Sequence, residues 1–259
     1  MIYQELTKEQ VKLIKSLHKK KGREEHKLFI AEGYKISEEI LESNYEPEFV
    51  VLPGNANDDC NNLADKIAKK YSAKIFKTPR KIFESLSDTE TAQDIMLCVK
   101  IREEKVVTTQ SFISLDRIAD PGNVGTIIRT AEWFGFQQVL LSKGCADLYN
   151  PKTIRSSMGA VFKIKCIQNV DLLKVIPEKF FGHTILGTFL DAKKYINEIE
   201  INNNFGIILG NESQGIQKGL ENIVSEKVKI KGNGNFDSLN VSVAAGIVMY
   251  ELALKKLIK

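Results

Sequence analysis

Cysteine and histidine are scarce: four Cys and three His in 259 residues. Cys60, Cys98, Cys145 and Cys166 lie far apart, with no Cys-x-x-Cys pair. Neither a zinc site nor a disulfide framework is expected, no metal is called for, and the thiols suit a reducing, cytoplasmic setting. Long apolar runs are also missing. The most apolar stretch, Val241 to Met249, is far short of the roughly 20 apolar residues a bilayer takes, so no membrane partner is expected. Met1 to Thr7 lacks a charged segment followed by an apolar one, so no signal peptide is expected either. Proline is rare (6 residues), and 43% hydrophobic with 27% charged residues is an ordinary globular mixture. Disordered, collagen-like and low-complexity classes are excluded.

Charge of one sign does not dominate, since the net charge is only +4. Its distribution is uneven. Between Lys8 and Lys27 stand eight basic residues, among them Lys12, Lys15, Lys19 and Arg23, against Glu9, Glu24 and Glu25. Such a patch can hold a phosphate backbone by releasing counterions. From this feature alone a solvated helix face is the better account.

Hydrophobic spacing predicts alternating elements. Thr7 followed by Gln10 reads as a capping box opening a helix with Val11, Ile14 and Leu17 on one face. Strands are predicted at Leu28–Ile30, Phe49–Leu52, Ala73–Phe76 and Ile95–Ile101, with helices through Ile36–Leu41, Leu63–Tyr71 and Pro79–Leu86. That pattern describes a small α/β sandwich. A polar break at Arg102–Lys105 places a boundary, giving a first domain over 1–104 and a second over 105–259. The second has strands at Ser111–Leu115, Gln138–Ser142, Thr184–Thr188, Phe205–Leu209 and Lys227–Lys231, with helices over Val124–Phe134 and Val241–Leu257. Alternation of this kind implies a mainly parallel sheet.

Three segments stand at carboxyl ends of predicted strands, the edge where open parallel sheets hold ligands. The first is Leu115-Asp116-Arg117-Ile118-Ala119-Asp120-Pro121-Gly122-Asn123-Val124-Gly125, continuing to Arg129. Here Pro121-Gly122 makes a turn, Asn123 can cap the following helix, and Arg129 lies nearly two turns along it. A capped helix with a surface arginine explains as much. The second is Leu209-Gly210-Asn211-Glu212-Ser213-Gln214-Gly215. Its Gly210 permits close backbone approach, and Glu212 brings a carboxylate to the sheet edge. The third is Ser238-Leu239-Asn240-Val241-Ser242, where Ser238 or Asn240 can cap a helix of small residues. Packing alone can explain it.

Together these segments, with Ile154-Arg155-Ser156-Ser157-Met158-Gly159-Ala160, resemble in order and spacing the motifs of the SpoU (TrmH) family of RNA ribose 2′-O-methyltransferases, within the SPOUT superfamily. The resemblance runs from Ser111 to Leu254. The first hundred residues are similar to the family's substrate-binding domain, a ribosomal-protein-like α/β sandwich. There the features are Lys15 to Arg23, Phe29-Ile30-Ala31-Glu32-Gly33 and Ser87 to Gln93, with Asp94 where relatives commonly have glycine.

The resemblance implies a fold that periodicity does not reach: a catalytic domain with a deep trefoil knot, working as a homodimer. It also implies S-adenosylmethionine as cofactor and RNA, ribosomal more than transfer RNA, as partner. Matching the motifs places the cofactor at Gly210, Ile230 and Leu239, spaced by 20 and 9 residues, with Gly187 and Thr188 beside them. It assigns catalysis to Asn123, Arg129, Glu212, Ser238 and Asn240, and RNA contacts to Lys12, Lys15, Lys19, Arg23 and Arg129. In relatives the motif arginine serves as the base, with a phosphate assisting, and a second role open to Arg129 is to anchor the substrate phosphate. A guanidinium is a poor base, so the anchoring role is the firmer one for Arg129.

Two other classes are weighed. A non-catalytic RNA-binding or ribosome-assembly protein of the same fold has no need of all five catalytic positions. A nucleotide-cofactor oxidoreductase would show a Gly-x-Gly-x-x-Gly turn after a first strand, which is absent.

Overall fold

The local signals at Thr7 and Gln10 act as expected. In the computed structural model, which describes residues 4–201, 203–233 and 238–257, strand β1 (Gln4–Glu5) leads into helix α1 (Lys8–Ser16). The Gln10 N–H donates to Thr7 Oγ1 at 3.2 Å and the Thr7 N–H to Gln10 Oε1 at 2.8 Å. Both donors would otherwise be orphans of the first turn. Ile14 and Leu17 are fully buried along one face. Helix α2 (Lys20–His26) then turns into β2 (Leu28–Glu32) through the left-handed Lys27.

There follow α3 (Tyr34–Glu39), β3 (Pro47–Pro53), α4 (Asp58–Tyr71), β4 (Lys74–Thr78), α5 (Arg80–Glu84) and β5 (Met96–Lys100). The five strands form one sheet in the order β1-β4-β3-β5-β2, parallel up to β3 and antiparallel beyond it. α1 packs its buried face into a core with Phe49, Phe76, Phe83 and Met96. Asp94 is half-buried and receives Arg80 Nη1 at 2.8 Å, so the residue that replaces the family's glycine pins its loop to α5.

The second sheet begins with β6 (Phe112–Asp116), α6 (Pro121–Trp133) and β7 (Gln138–Ser142). After α7 (Pro151–Ser157) come β8 (Lys165–Val170), α8 (Leu172–Lys179), β9 (Thr184–Thr188), β10 (Lys194–Tyr195) and β11 (Phe205–Gly210). The chain ends with α9 (Lys218–Glu221), β12 (Glu226–Lys229) and α10 (Val241–Leu257). All seven strands are parallel, in the order β10-β12-β9-β11-β6-β7-β8. Phe112, Leu140, Ile185 and Ile208 fill the core between that sheet and α8. No helix among the described residues is long and apolar enough to cross a membrane.

By its contacts the chain forms two compact units. One compact unit takes residues up to Arg102 together with Tyr149–Lys163, and the other takes Glu103–Leu148 and the chain from Ile164 onward. The reason is aromatic packing. The Tyr149 ring stacks on Phe29 at 4.6 Å and Phe162 meets Tyr45 at 5.2 Å. Lys163 pairs with Glu39 at 2.6 Å, and Arg155 pairs with Asp88. Long-range contacts of this kind leave no periodic trace.

Candidate active site

Strand register brings the motifs together. β11 lies beside β6, with Gly210 opposite Asp116, and beside β9, with Ile208 opposite Gly187. β12 follows, with Val228 opposite Thr188. The carboxyl ends of four adjacent strands thus share one edge. The chain leaves β6 towards β7 and β8 on one side and later fills β11 and β9 on the other. That reversal is the switch point where open parallel sheets bind ligands.

Asp120, not Asn123, caps α6. Asp120 Oδ1 accepts the Asn123 N–H at 2.9 Å, and Pro121 opens the helix where no N–H is needed. The helix therefore starts earlier than expected, and Asn123 sits inside its first turn with its side chain free for other partners. Its amide donates to Glu212 Oε1 at 2.7 Å, and its carbonyl accepts from Asn240 Nδ2 at 3.1 Å. Asn240 in turn accepts the Ser242 N–H at 2.9 Å and the Ser242 hydroxyl at 2.6 Å, holding the start of α10. Three residues from three separate motifs form one chain of hydrogen bonds.

Arg129 is exposed further along α6. Among the described residues no hydrogen bond or ion pair engages its guanidinium, and Asn123 and Glu212 bond to each other instead. Its fork remains open for an anion. Ser238 is exposed ahead of α10 and makes no hydrogen bond among the described residues.

The cofactor positions cluster on the same edge. Thr188 ends β9 and donates its hydroxyl to the Ile208 carbonyl at 3.3 Å. Ile230 follows β12 half-buried, and Leu239 is 49% exposed before α10. The two glycines have reasons other than a ligand. A Cβ at Gly210 would lie 2.4 Å from the Gly215 carbon and the Ile216 nitrogen, because the loop folds back on its own strand. Asn211 and Gly215 exchange backbone hydrogen bonds of 3.2 and 2.8 Å to close that loop. A Cβ at Gly187 would meet the Phe189 ring at 2.6 Å.

In the first unit Lys12, Lys15 and Lys19 are exposed, as a phosphate contact requires. Arg23 is a correction. It is 2% exposed and donates Nη1 to the Leu17 carbonyl at 2.7 Å, satisfying the orphan end of α1 instead of facing solvent.

Sequence reading passed over Asp116 and Arg117. Asp116 is fully buried, and both its oxygens accept from Arg117 at 3.0 Å. That hydrogen bonding raises the Arg117 pKa further above its ordinary value. An adjacent acid and base at a strand end was the available signal. Elsewhere burial pushes the Cys98 and Cys166 thiols up, so neither offers a thiolate. Among the described residues no group of His, Cys, Asp or Glu is placed to hold a metal ion.

Residues 110–250 match the SpoU rRNA Methylase family, and residues 8–97 match an MRM3-like substrate binding domain. The chain belongs to the SpoU rRNA methylase family. It is 33% identical to the 23S rRNA (guanosine(2553)-2'-O)-methyltransferase RlmP of Bacillus subtilis, over 94% of this chain and 96% of that one. Identity to the 23S rRNA (guanosine-2'-O-)-methyltransferase RlmB of Acinetobacter baylyi is 27%, over 85% and 94%. The AdoMet-bound rRNA methyltransferase from Sinorhizobium meliloti superposes with a TM-score of 0.86 at 26% identity, covering 99% of this chain and 98% of that one. Family membership thus covers every candidate catalytic position, and the exposed lysines of α1 fall in the second matched region.

Proposed function

We propose that this protein transfers the methyl group of S-adenosylmethionine to a ribose 2′-hydroxyl of ribosomal RNA, in the cytoplasm. The observation that carries the reading is the hydrogen-bond chain Glu212–Asn123–Asn240, with the open guanidinium of Arg129 on the same helix as Asn123. A methyl-transfer site must align an oxygen nucleophile and assist loss of its proton. Glu212 is exposed and spends one oxygen on Asn123, leaving acceptor capacity for a ribose hydroxyl. Arg129 holds the adjoining phosphate through its planar fork. Ser238 and Asn240 complete the site from the start of α10.

The residues present fit the cofactor. Thr188, Gly210, Ile230 and Leu239 follow neighbouring strands or open α10, and supply backbone groups with two apolar side chains, suited to a flat base. When bound, S-adenosylmethionine supplies an already activated methyl group.

The catalytic unit works as a homodimer. α6 packs on α10, and outward from this pair Trp133 is 81% exposed, with Val243, Tyr250 and Leu254 also open. An apolar surface of that kind suits a second copy of the chain. The trefoil knot belongs to the same reading, supported by the return of α10 to α6 and β11 after β12. The amino-terminal unit binds RNA through Lys12, Lys15 and Lys19.

The test is a map of 2′-O-methyl groups in cellular RNA with and without the gene. One ribosomal position should lose its methyl group and regain it when the purified protein acts on the unmodified RNA. An unchanged ribosomal map, with a transfer RNA position altered instead, would reassign the substrate.

A further inference from the structure

We propose that Arg117 is a positioning residue of the methyl-transfer site, acting through the loop that carries Glu212; this rests on the reading just given. Arg117 directly follows β6 with φ +58°. That left-handed backbone is uncommon for a residue with a Cβ, and persists where the surroundings over-determine it. Here they do. The Arg117 N–H donates to Ser142 Oγ at 2.9 Å, at the end of β7, and its carbonyl accepts from Asn211 Nδ2 at 2.8 Å, just beyond β11.

The side chain does more. Nε and Nη2 bind the two oxygens of buried Asp116, which also accepts the Gln217 N–H at 2.8 Å. Nη1 reaches Gln214 Oε1 at 2.7 Å, and Nη2 also reaches the Gly215 carbonyl at 3.2 Å. One guanidinium thus ties a buried carboxylate to two consecutive residues of an exposed loop. Only a planar fork makes all these contacts, so lysine is no substitute.

Glu212 lies between the anchors, after Asn211 and before Gln214. Asn211 Oδ1 accepts the Ser213 and Gln214 N–H groups, which shapes the loop but does not attach it to its surroundings. Arg117 adds the side-chain hold on Gln214 and Gly215, beside the Glu212–Asn123 hydrogen bond and the Gln217 N–H bond to Asp116. The clamp therefore sets where the Glu212 carboxylate stands relative to Asn123, and so how the acceptor hydroxyl is met.

The decisive variant is Arg117→Gly, which removes the guanidinium and relieves the left-handed backbone at once. Two measurements are made on the full-length protein: hydrogen exchange of the amides at 211–216, and single-turnover methyl transfer at saturating RNA and cofactor. Exchange should quicken, and transfer should slow, each by about tenfold or more, with RNA affinity unchanged. Arg117→Lys should not restore the rate. In a Glu212→Ala background the further loss from Arg117→Gly should stay below about threefold, since both changes act on one interaction.

Unchanged exchange overturns the clamp. Transfer within about twofold of the unaltered protein, or losses that simply multiply with Glu212→Ala, overturns its catalytic consequence. If Arg117→Gly does not fold, Gln214→Ala removes the outer contact while leaving the Asp116 pair, and must quicken the same amides. An unaltered protein that methylates no RNA defeats the functional reading, while the exchange result still decides the clamp.

Discussion

The Asn123 side chain bridges Glu212 and Asn240, which lie 89 and 117 residues further along the chain. It spends its donor on one and its acceptor on the other, so an amide is the group the position requires. Asp and Ala each fail in a different way.

Asn123→Asp sets two carboxylates against each other where a 2.7 Å hydrogen bond stood. Methyl transfer should fall by about tenfold or more, with RNA affinity retained. Asn123→Ala should be milder, because the repulsion is absent. Single-turnover rates at saturating RNA rank the two, and equal rates would remove the bridge from the mechanism.

Arg129→Ala distinguishes decoration from function. An exposed helical arginine with no partner among the described residues should change stability by no more than about 0.5 kcal/mol. As the phosphate anchor, its loss should slow transfer by about a hundredfold while cofactor binding survives. Arg129→Lys keeps the charge and loses the fork, so it should recover only part of the rate. Transfer at the unaltered rate in Arg129→Ala would move the centre of the site elsewhere.

Local chemistry was legible in the sequence and tertiary choices were not. The Thr7–Gln10 capping box and the span of α10 both depend on neighbours within a few residues, and both are found where expected. Asp120-Pro121-Gly122-Asn123 holds two capable caps within four residues. Choosing between them needed the rule that proline favours the first helical position. The pairing of Asn123 with Glu212 follows from the parallel register of β6 and β11, which no window of sequence contains. Tyr149–Lys163 groups with the first unit for the same reason, because Phe29 selects Tyr149 across a long separation. β8 was missed because Lys165-Cys166-Ile167-Gln168-Asn169-Val170 carries little apolar alternation.

Gly210 is predicted to fail through its loop before it fails through its ligand. Even a methyl group there meets the Gly215–Ile216 backbone at 2.4 Å. Gly210→Ala should therefore loosen residues 211–216 and weaken S-adenosylmethionine binding together, seen as faster amide exchange and a higher Kd. EDTA should leave the affinity of the unaltered protein intact by calorimetry. Loss of binding on chelation would call for a metal in the cofactor site.

The basic amino-terminal segment divides into two kinds of residue, and charge reversal should separate them. Lys12, Lys15 and Lys19 are exposed, so changing all three to Glu should weaken RNA binding without touching cofactor affinity or stability. The effect should be largest at low salt, and the salt slope should flatten, because each lost phosphate contact releases fewer counterions. Arg23 belongs to the fold. Its guanidinium is buried against the Leu17 carbonyl at 2.7 Å, and removing it leaves that acceptor without its charged donor. Arg23→Ala should cost about 1.5–3 kcal/mol in stability, the range for a hydrogen bond to a charged group. RNA affinity per folded molecule should stay the same. Denaturant titration read beside RNA binding across a salt series makes the distinction. If Arg23→Ala instead weakens RNA binding with stability untouched, the guanidinium reaches the phosphate backbone, and the burial seen here gives way when RNA binds.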